Sequence, residues 1–222
     1  MNSRQFKDVL YEQFARISKA LAHPKRLELI DILSQGERSV EALAQVTHIS
    51  IASTSQHLQT LKAAQLITTR KEGLYVYYRL ADMQVNKLWV LIRDLGGKKL
   101  ADVDQVIQNF LKDRQQFESV SAEELLTLLQ KGDVIVLDVR PTLEYEQGYI
   151  KGALSVPLDK LEKYLSKIPK SKTIVAYCRG PHCVMSFDAI TIMKTKGYRH
   201  AIRLDEGLPE WRLRGYPVEQ IN

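Results

Sequence analysis

The stretch KTIVAYCRGPHCVMSFDAITIMKTKGY, Lys172–Tyr198, changes its apolar pattern midway and sets the fold class of the C-terminal half. KTIVAYC is a near-continuous apolar run, the signature of a parallel strand covered on both faces. MSFDAITIMKTKGY then reads as a helix stopped by Gly197. Between them lie the chain's only two cysteines, Cys178 and Cys183. A loop after a buried strand and before a helix is where open α/β sheets bind ligands. Helix N-termini offer free N–H groups and partial positive charge, which favour a thiolate. Gly180 permits a sharp backbone, and successive loop amides can form an anion nest around the Cys178 sulfur. Arg179 adds positive charge or holds an anionic substrate.

Three chemistries compete for this loop: a metal site, a redox pair, or a nucleophile with a helper. Cys178, His182 and Cys183 are too few for a closed zinc site, which takes four ligands, so no metal is expected. The choice between one working thiol and two stays open on the residues alone. In a reducing compartment a purely structural disulfide is not expected.

The α/β pattern extends both ways from this stretch. SAEELLTLLQKG reads as a helix with Ser121 as N-cap and an acidic first turn. DVIVLDVR is a second buried strand, LDKLEKYLSKI is helical, and HAIRLDEG is a third strand. Helices and strands alternating in this way argue for a small doubly wound domain, with a linker near Phe117–Ser121.

Residues before 117 follow a helical period instead. Phe14, Ile17 and Leu21 share one face; the chain breaks at His23-Pro24; Leu27, Ile30 and Leu33 continue, and Gly36 ends that helix. A short helix opened by Ser39, a turn at His48–Ser50, and a second helix with Thr54, Leu58 and Leu61 inward come next. TTRKEGLYVYYRLA then reads as a β-hairpin with Glu72-Gly73 at its turn and a basic tip. Helix, tight turn, helix and two-stranded wing is the order of a DNA reader. The second helix puts Ala52, Ser53, Gln56 and Gln59 opposite its apolar stripe, short enough to approach base edges. Ser55 and His57 flank them as phosphate contacts, and Arg70 and Lys71 beside the wing turn reach phosphates or the minor groove. Charge agrees: residues 1–117 carry 17 Lys and Arg against 12 Asp and Glu, whereas 118–222 carry 15 against 14.

The stretches KALAHPKRLELIDIL, SVEALAQVTHISIASTSQHLQTLKAAQLI and RKEGLYVYYRLAD resemble the ArsR family of winged helix-turn-helix repressors over about residues 10 to 82. The resemblance implies a homodimer on an inverted-repeat operator in double-stranded DNA, paired through Arg4–Leu21 and Gln84–Phe117. It does not carry over the family's metal sites. SVEALAQV has no Cys, Asp or His, and the helix after the wing has no His.

VIVLDVRPTLEYEQGYIKGALSVPL, IVAYCRGPHCVMSFDAI and LDEGLPEWRLRGYPV resemble a rhodanese domain over about residues 120 to 219. That resemblance implies Cys178 as the sulfur-accepting nucleophile that becomes a persulfide. It implies that Asp138, Arg140, Gly180 and His182 support the loop and that Gly207 and Trp211 pack near it. The loop departs from the common rhodanese pattern, with glycine second after the cysteine, Pro181 third and Cys183 fifth. This argues against ordinary thiosulfate specificity. Val184 stands where Cys-x₅-Arg phosphatases and arsenate reductases need arginine.

The expectation is a two-domain protein: a mainly α winged helix-turn-helix domain over 1–117 and an α/β rhodanese-like domain with a mostly parallel sheet over 118–222. It is a DNA-binding regulator, a repressor by the family's habit. Cys178, helped by Arg179 and with Cys183 as resolving thiol, senses a small sulfur donor or oxidant. The alternative is an active sulfurtransferase tethered to a DNA-binding domain. No cofactor is expected. No apolar run approaches the ~20 residues that cross a bilayer, and the N-terminus lacks a signal-peptide pattern, so a cytoplasmic location is expected.

Overall fold

A computed structural model describes residues 1–111, 117–132 and 134–221. The chain forms two compact units, Met1–Ile92 and Arg93–Asn222. The division between them falls inside a helix.

In the first unit, α1 (Ser3–Leu21) opens with a capping box between Asn2 and Gln5. α2 (Pro24–Gln35) starts at proline, with His23 as N-cap, and ends at Gly36. β1 (Arg38–Ser39) leads into α3 (Val40–Thr47), capped by the Ser39 side chain. His48 then takes a left-handed conformation, φ 53°, which turns the chain sharply toward Ser50. Ser50 accepts the Ser53 N–H and starts α4 (Ile51–Ala63). β2 (Ile67–Glu72) and β3 (Tyr75–Leu80) form the antiparallel wing, with β1 on the other side of β3. Glu72 pairs with Tyr75, so the turn is Gly73–Leu74, one residue beyond the expected Glu72-Gly73. Gly73 takes the positive φ, 58°, that this two-residue loop requires. Leu29, Ile30, Leu33, Leu43, Leu58, Leu61 and Ile67 form the core. Leu21 joins it, but Phe14 and Ile17 on the same face of α1 are exposed.

The expected single helix over Gln84–Phe117 is two: α5 (Met83–Lys99) and α6 (Ala101–Leu111). The break at Leu100 follows the weak helix formers Gly96-Gly97 and precedes Asp102 and Asp104, which favour a fresh N-terminus. Residues 112–116 of the expected helix lie outside the described residues, and Phe117 is not helical.

In the second unit the expected linker at Phe117–Ser121 is built into the domain. Phe117 packs on the core, and β4 (Ser119–Val120) pairs parallel with Arg203 and Leu204. α7 (Ala122–Lys131) carries a Ser121–Glu124 capping box. Next come β5 (Val134–Asp138), α8 (Thr142–Glu146), β6 (Tyr149–Ile150), β7 (Leu154–Ser155), a 3-10 turn at Leu158–Lys160 and α9 (Leu161–Leu165). β8 (Thr173–Cys178), α10 (Val184–Thr195), β9 (Ala201–Gly207), α11 (Leu208–Leu213) and β10 (Val218–Glu219) complete it. The main sheet runs β4-β9-β8-β5-β7 with every pairing parallel. β6 and β10 form a separate antiparallel ribbon.

Both faces of this sheet are covered. Ile174, Ala176 and Cys178 pack with α9 and α10 residues Leu161, Leu165, Ala189, Ile190 and Met193. Val175 and Tyr177 pack the other way, with Ala122, Leu125, Leu208 and Trp211 of α7 and α11. The two-residue period of β8 therefore sends Cys178 toward α10 and Tyr177 toward the opposite layer. Among the described residues no helix is long and apolar enough to cross a membrane.

Candidate functional site

Cys178 ends β8 and is 1% exposed. Cys183, half-buried, occupies the N-cap position of α10 without a side-chain capping bond. The chain folds back in five residues, bringing the two Cα atoms to 6.2 Å, and the cysteines are joined as a disulfide. The pair expected to be free thiols is thus bonded, because the short loop places both sulfurs in one spot.

The loop is closed internally by the Cys183 N–H donating to the Gly180 carbonyl at 3.1 Å. Pro181 has no N–H, so neither position donates to an anion and the expected nest is only partial. Gly180 does not take a positive φ. What its missing Cβ provides is room: a Cβ there would lie 3.3 Å from an Arg93 guanidinium nitrogen. His182 is exposed on the loop.

Arg179 is engaged at the base of the loop. Its guanidinium forms a two-pronged pair with Glu144 of α8, Nη2 to Oε1 at 2.6 Å and Nε to Oε2 at 3.1 Å. Glu144 is 1% exposed, and a buried carboxylate requires such a partner. The pair anchors the base of the loop.

Asp138 and Arg140 lie beneath the loop, both fully buried. The Arg140 backbone N–H and Nε donate to Asp138 Oδ1 at 3.0 and 2.9 Å, and Nη2 donates to the Gly148 carbonyl at 2.8 Å. The Tyr177 hydroxyl donates to Asp138 and accepts the Ile150 N–H. Burial, then the Asp138 charge, pushes the Tyr177 phenol well above its ordinary pKa, so it stays a neutral donor. This network locks the residue immediately before Cys178.

Two further residues frame the loop. Gly207 pairs with Cys178 across the sheet, and a Cβ on it would meet the Arg179 carbonyl oxygen at 2.3 Å and the Gly180 nitrogen at 2.7 Å. Glu210 of α11 accepts the Gly207 N–H at 2.8 Å through Oε2. Trp211 is buried and donates to the Pro217 carbonyl at 2.9 Å. Sequence reasoning missed Glu144 and Glu210. Each is one acid among many, and only the folded chain gives it a basic or amide partner.

In the first unit, Thr54, Leu58 and Leu61 of α4 are fully buried, while Ala52, Gln56 and Gln59 are exposed. Ser53 and Ser55 are half-buried at the edge of that surface. The His57 ring packs on His23 with centroids 4.4 Å apart. Burial, then the nearby His23 and Arg26 charges, lowers its pKa, which favours a neutral ring. Arg70 is engaged as well, pairing with Glu37 and Glu72 at 2.6 Å each and lying over the Tyr77 ring. Lys71 is exposed on the wing.

A helical core with a presented polar helix and a wing, joined to a parallel sheet ending in a cysteine loop, defines a DNA-binding regulator with a rhodanese-type domain. Residues 23–69 match the model for bacterial regulatory proteins of the arsR family, and residues 121–214 match the rhodanese-like domain. The chain belongs to the ArsR-type HTH transcriptional regulators that carry a C-terminal rhodanese-like domain. It is 41% identical to the HTH-type transcriptional regulator Rv0324 of Mycobacterium tuberculosis (strain ATCC 25618 / H37Rv), over 96% of this chain and 93% of that one. A sulfurtransferase of Allochromatium vinosum is 33% identical over 39% of this chain and 78% of its own length. Among solved structures, a homodimeric winged helix-turn-helix DNA-binding domain of Mb0332 from Mycobacterium bovis is 39% identical, covers 46% of this chain and 93% of its own, and has a TM-score of 0.42.

Proposed function

We propose that this regulator senses reactive sulfur or oxidants through Cys178, with Cys183 as the resolving thiol, and changes its DNA affinity in response. The observation that carries the reading is the joining of the two cysteines across a loop that ends a buried strand and opens α10. The Cys178 thiolate attacks the outer sulfur of a persulfide R–S–SH, forming Cys178–S–SH and releasing RS⁻. The Cys183 thiolate then attacks the Cys178 sulfur, closes the bridge and expels HS⁻. With peroxide, Cys178 becomes a sulfenic acid with release of hydroxide, and Cys183 closes the same bridge with loss of a second hydroxide.

The protein acts as a cytoplasmic homodimer on an inverted repeat, with 1–117 as the DNA-binding and dimerisation part and 118–222 as the sensor. Exposed Phe6, Val9, Phe14 and Ile17 on α1 supply an apolar face suited to pairing. Gln56 reads bases, with Ser53 and Ser55 at the edge of the contact and Lys71 on phosphate. A coupling of about 1–3 kcal/mol between loop state and DNA affinity makes a useful switch. The test is intact mass after polysulfide, thiosulfate and peroxide, in parallel with affinity for the protein's own promoter. A Cys178–Cys183 bridge or mass gain that shifts affinity supports the reading; modification with unchanged affinity sinks it.

The similarity to a sulfurtransferase favours a second reading, catalytic sulfur transfer by a tethered domain. Turnover with a sulfane-sulfur donor, lost in Cys178→Ser, would establish it.

A further inference from the structure

Arg93 lies outside both matched family segments, 23–69 and 121–214. It belongs to the second unit yet sits on α5, a helix that begins at Met83 in the first. Its guanidinium donates to Glu210 Oε1 at 2.6 Å, with side-chain exposures of 13% and 8%. Nη2 also meets Asp94 at 3.1 Å. Its Nε is buried with no hydrogen-bond partner among the described residues. Such an incompletely satisfied cation is uncommon in a purely structural ion pair. On the far side Glu210 uses its other oxygen to hold the Gly207 N–H, and Gly207 packs directly on the backbone of Arg179 and Gly180. Arg93 also borders Gly180: a Cβ there would lie 3.3 Å from its Nη1.

We propose that Arg93 is a positioning residue for the Cys178–Cys183 loop, setting its place and local charge through Glu210 and Gly207. The proposal rests on the reading of Cys178 as the reactive thiol. Other charged groups around the loop are Arg179 with Glu144, Arg203 with Asp205, His182 and Asp94. Arg179 and Arg203 each have a carboxylate partner of their own. Removing one member of the Arg93–Glu210 pair leaves the other's charge beside the loop. Loss of Arg93 leaves an anion that disfavours the Cys178 thiolate; loss of Glu210 leaves a cation that favours it. A merely structural role would disturb the loop in the same sense from either side.

The test is the rate of iodoacetamide alkylation of Cys178 against pH, in the reduced full chain carrying Cys183→Ser. Arg93→Gln should move the midpoint up by about half to one unit, lowering the rate at neutral pH about three- to tenfold. Glu210→Gln, which can still accept the Gly207 N–H, should move it down by a similar amount. The double variant should lie near the parent, and Arg93→Lys, which keeps the charge, should stay within about half the Arg93→Gln shift. Midpoints that move together, or do not move, overturn the proposal and leave the sulfur chemistry standing. A Cys178 that alkylates at no pH in any form overturns both.

Discussion

Replacing Gly207 by alanine tests whether the cysteine loop depends on backbone-to-backbone contact at the end of β9. The added Cβ would stand 2.3 Å from the Arg179 carbonyl oxygen, where real Cβ contacts do not fall below 3.0 Å. The loop or the strand must therefore move by about 0.7 Å. Neither partner is the free end of a flexible side chain. Cys178 is hydrogen-bonded in the sheet next to Gly207, and Arg179 is held by Glu144. Overpacking of this kind costs about 1–3 kcal/mol. Urea unfolding followed by Trp211 fluorescence, in a Trp89→Phe background, reads the second unit. The midpoint should fall with an unchanged slope. The same shift should move Cys178 relative to Cys183 and slow bridge formation, measured by quenched-flow alkylation. Gly96→Ala is the control, since nothing lies within 4 Å of its Cβ position in α5. It should be neutral or stabilise by up to about 1 kcal/mol. A Gly207→Ala protein within about 0.5 kcal/mol of the parent and with unchanged closure kinetics would refute the close-contact argument.

Other substitutions address the remaining contacts. Glu144→Ala leaves Arg179 without its bidentate partner at the loop base and should lower stability by about 1–3 kcal/mol, read by urea denaturation; the partial exposure of Arg179 keeps the loss below that of a fully buried pair. Gln56→Ala should cost about 1–3 kcal/mol of discrimination between operator and random DNA, and equal losses on both would remove Gln56 from base reading. Lys71→Ala should weaken all DNA alike and reduce the salt slope by about one. Arg70→Ala should change that slope less, because Glu37 and Glu72 already neutralise Arg70. The lowered pKa of His57 means that the unfolded chain takes up its proton first as pH falls. Its stabilising effect is complete above about pH 6.5 and is lost as pH drops through the lower folded value. His57→Gln should therefore flatten the fall in stability between pH 7 and 5; an unchanged fall would show that His57 does not contribute to it.

Much of this architecture is legible in the amino-acid sequence. The switch from helical to alternating patterns separated a helix-turn-helix from an α/β sheet. Ser39, Ser50 and Ser121 marked helix starts because a side-chain oxygen satisfying a free N–H is a local event. Thr54, Leu58 and Leu61 were readable as the buried stripe of α4 because periodicity alone decides which face meets a core. Cys178 stood out because its position after a buried strand is a topological address. Local chemistry did not show the partners of Arg179, Arg70 and His57, which the fold places at Glu144, at Glu37 and Glu72, and at His23. The break at Leu100 and the use of Phe117 and Ser119–Val120 inside the second unit depend on packing across distant sequence.

Periodicity and bonds between near neighbours were enough to give the two fold types, the helix caps and the cysteine loop's address. Where the charges go follows from the folded chain. Glu144 is brought to Arg179, Glu37 to Arg70, Tyr177 to Asp138, and Glu210 to both Gly207 and Arg93. Burial makes an unpaired charge costly, and which partners meet depends on strand order and helix placement, neither of which is written in any local pattern.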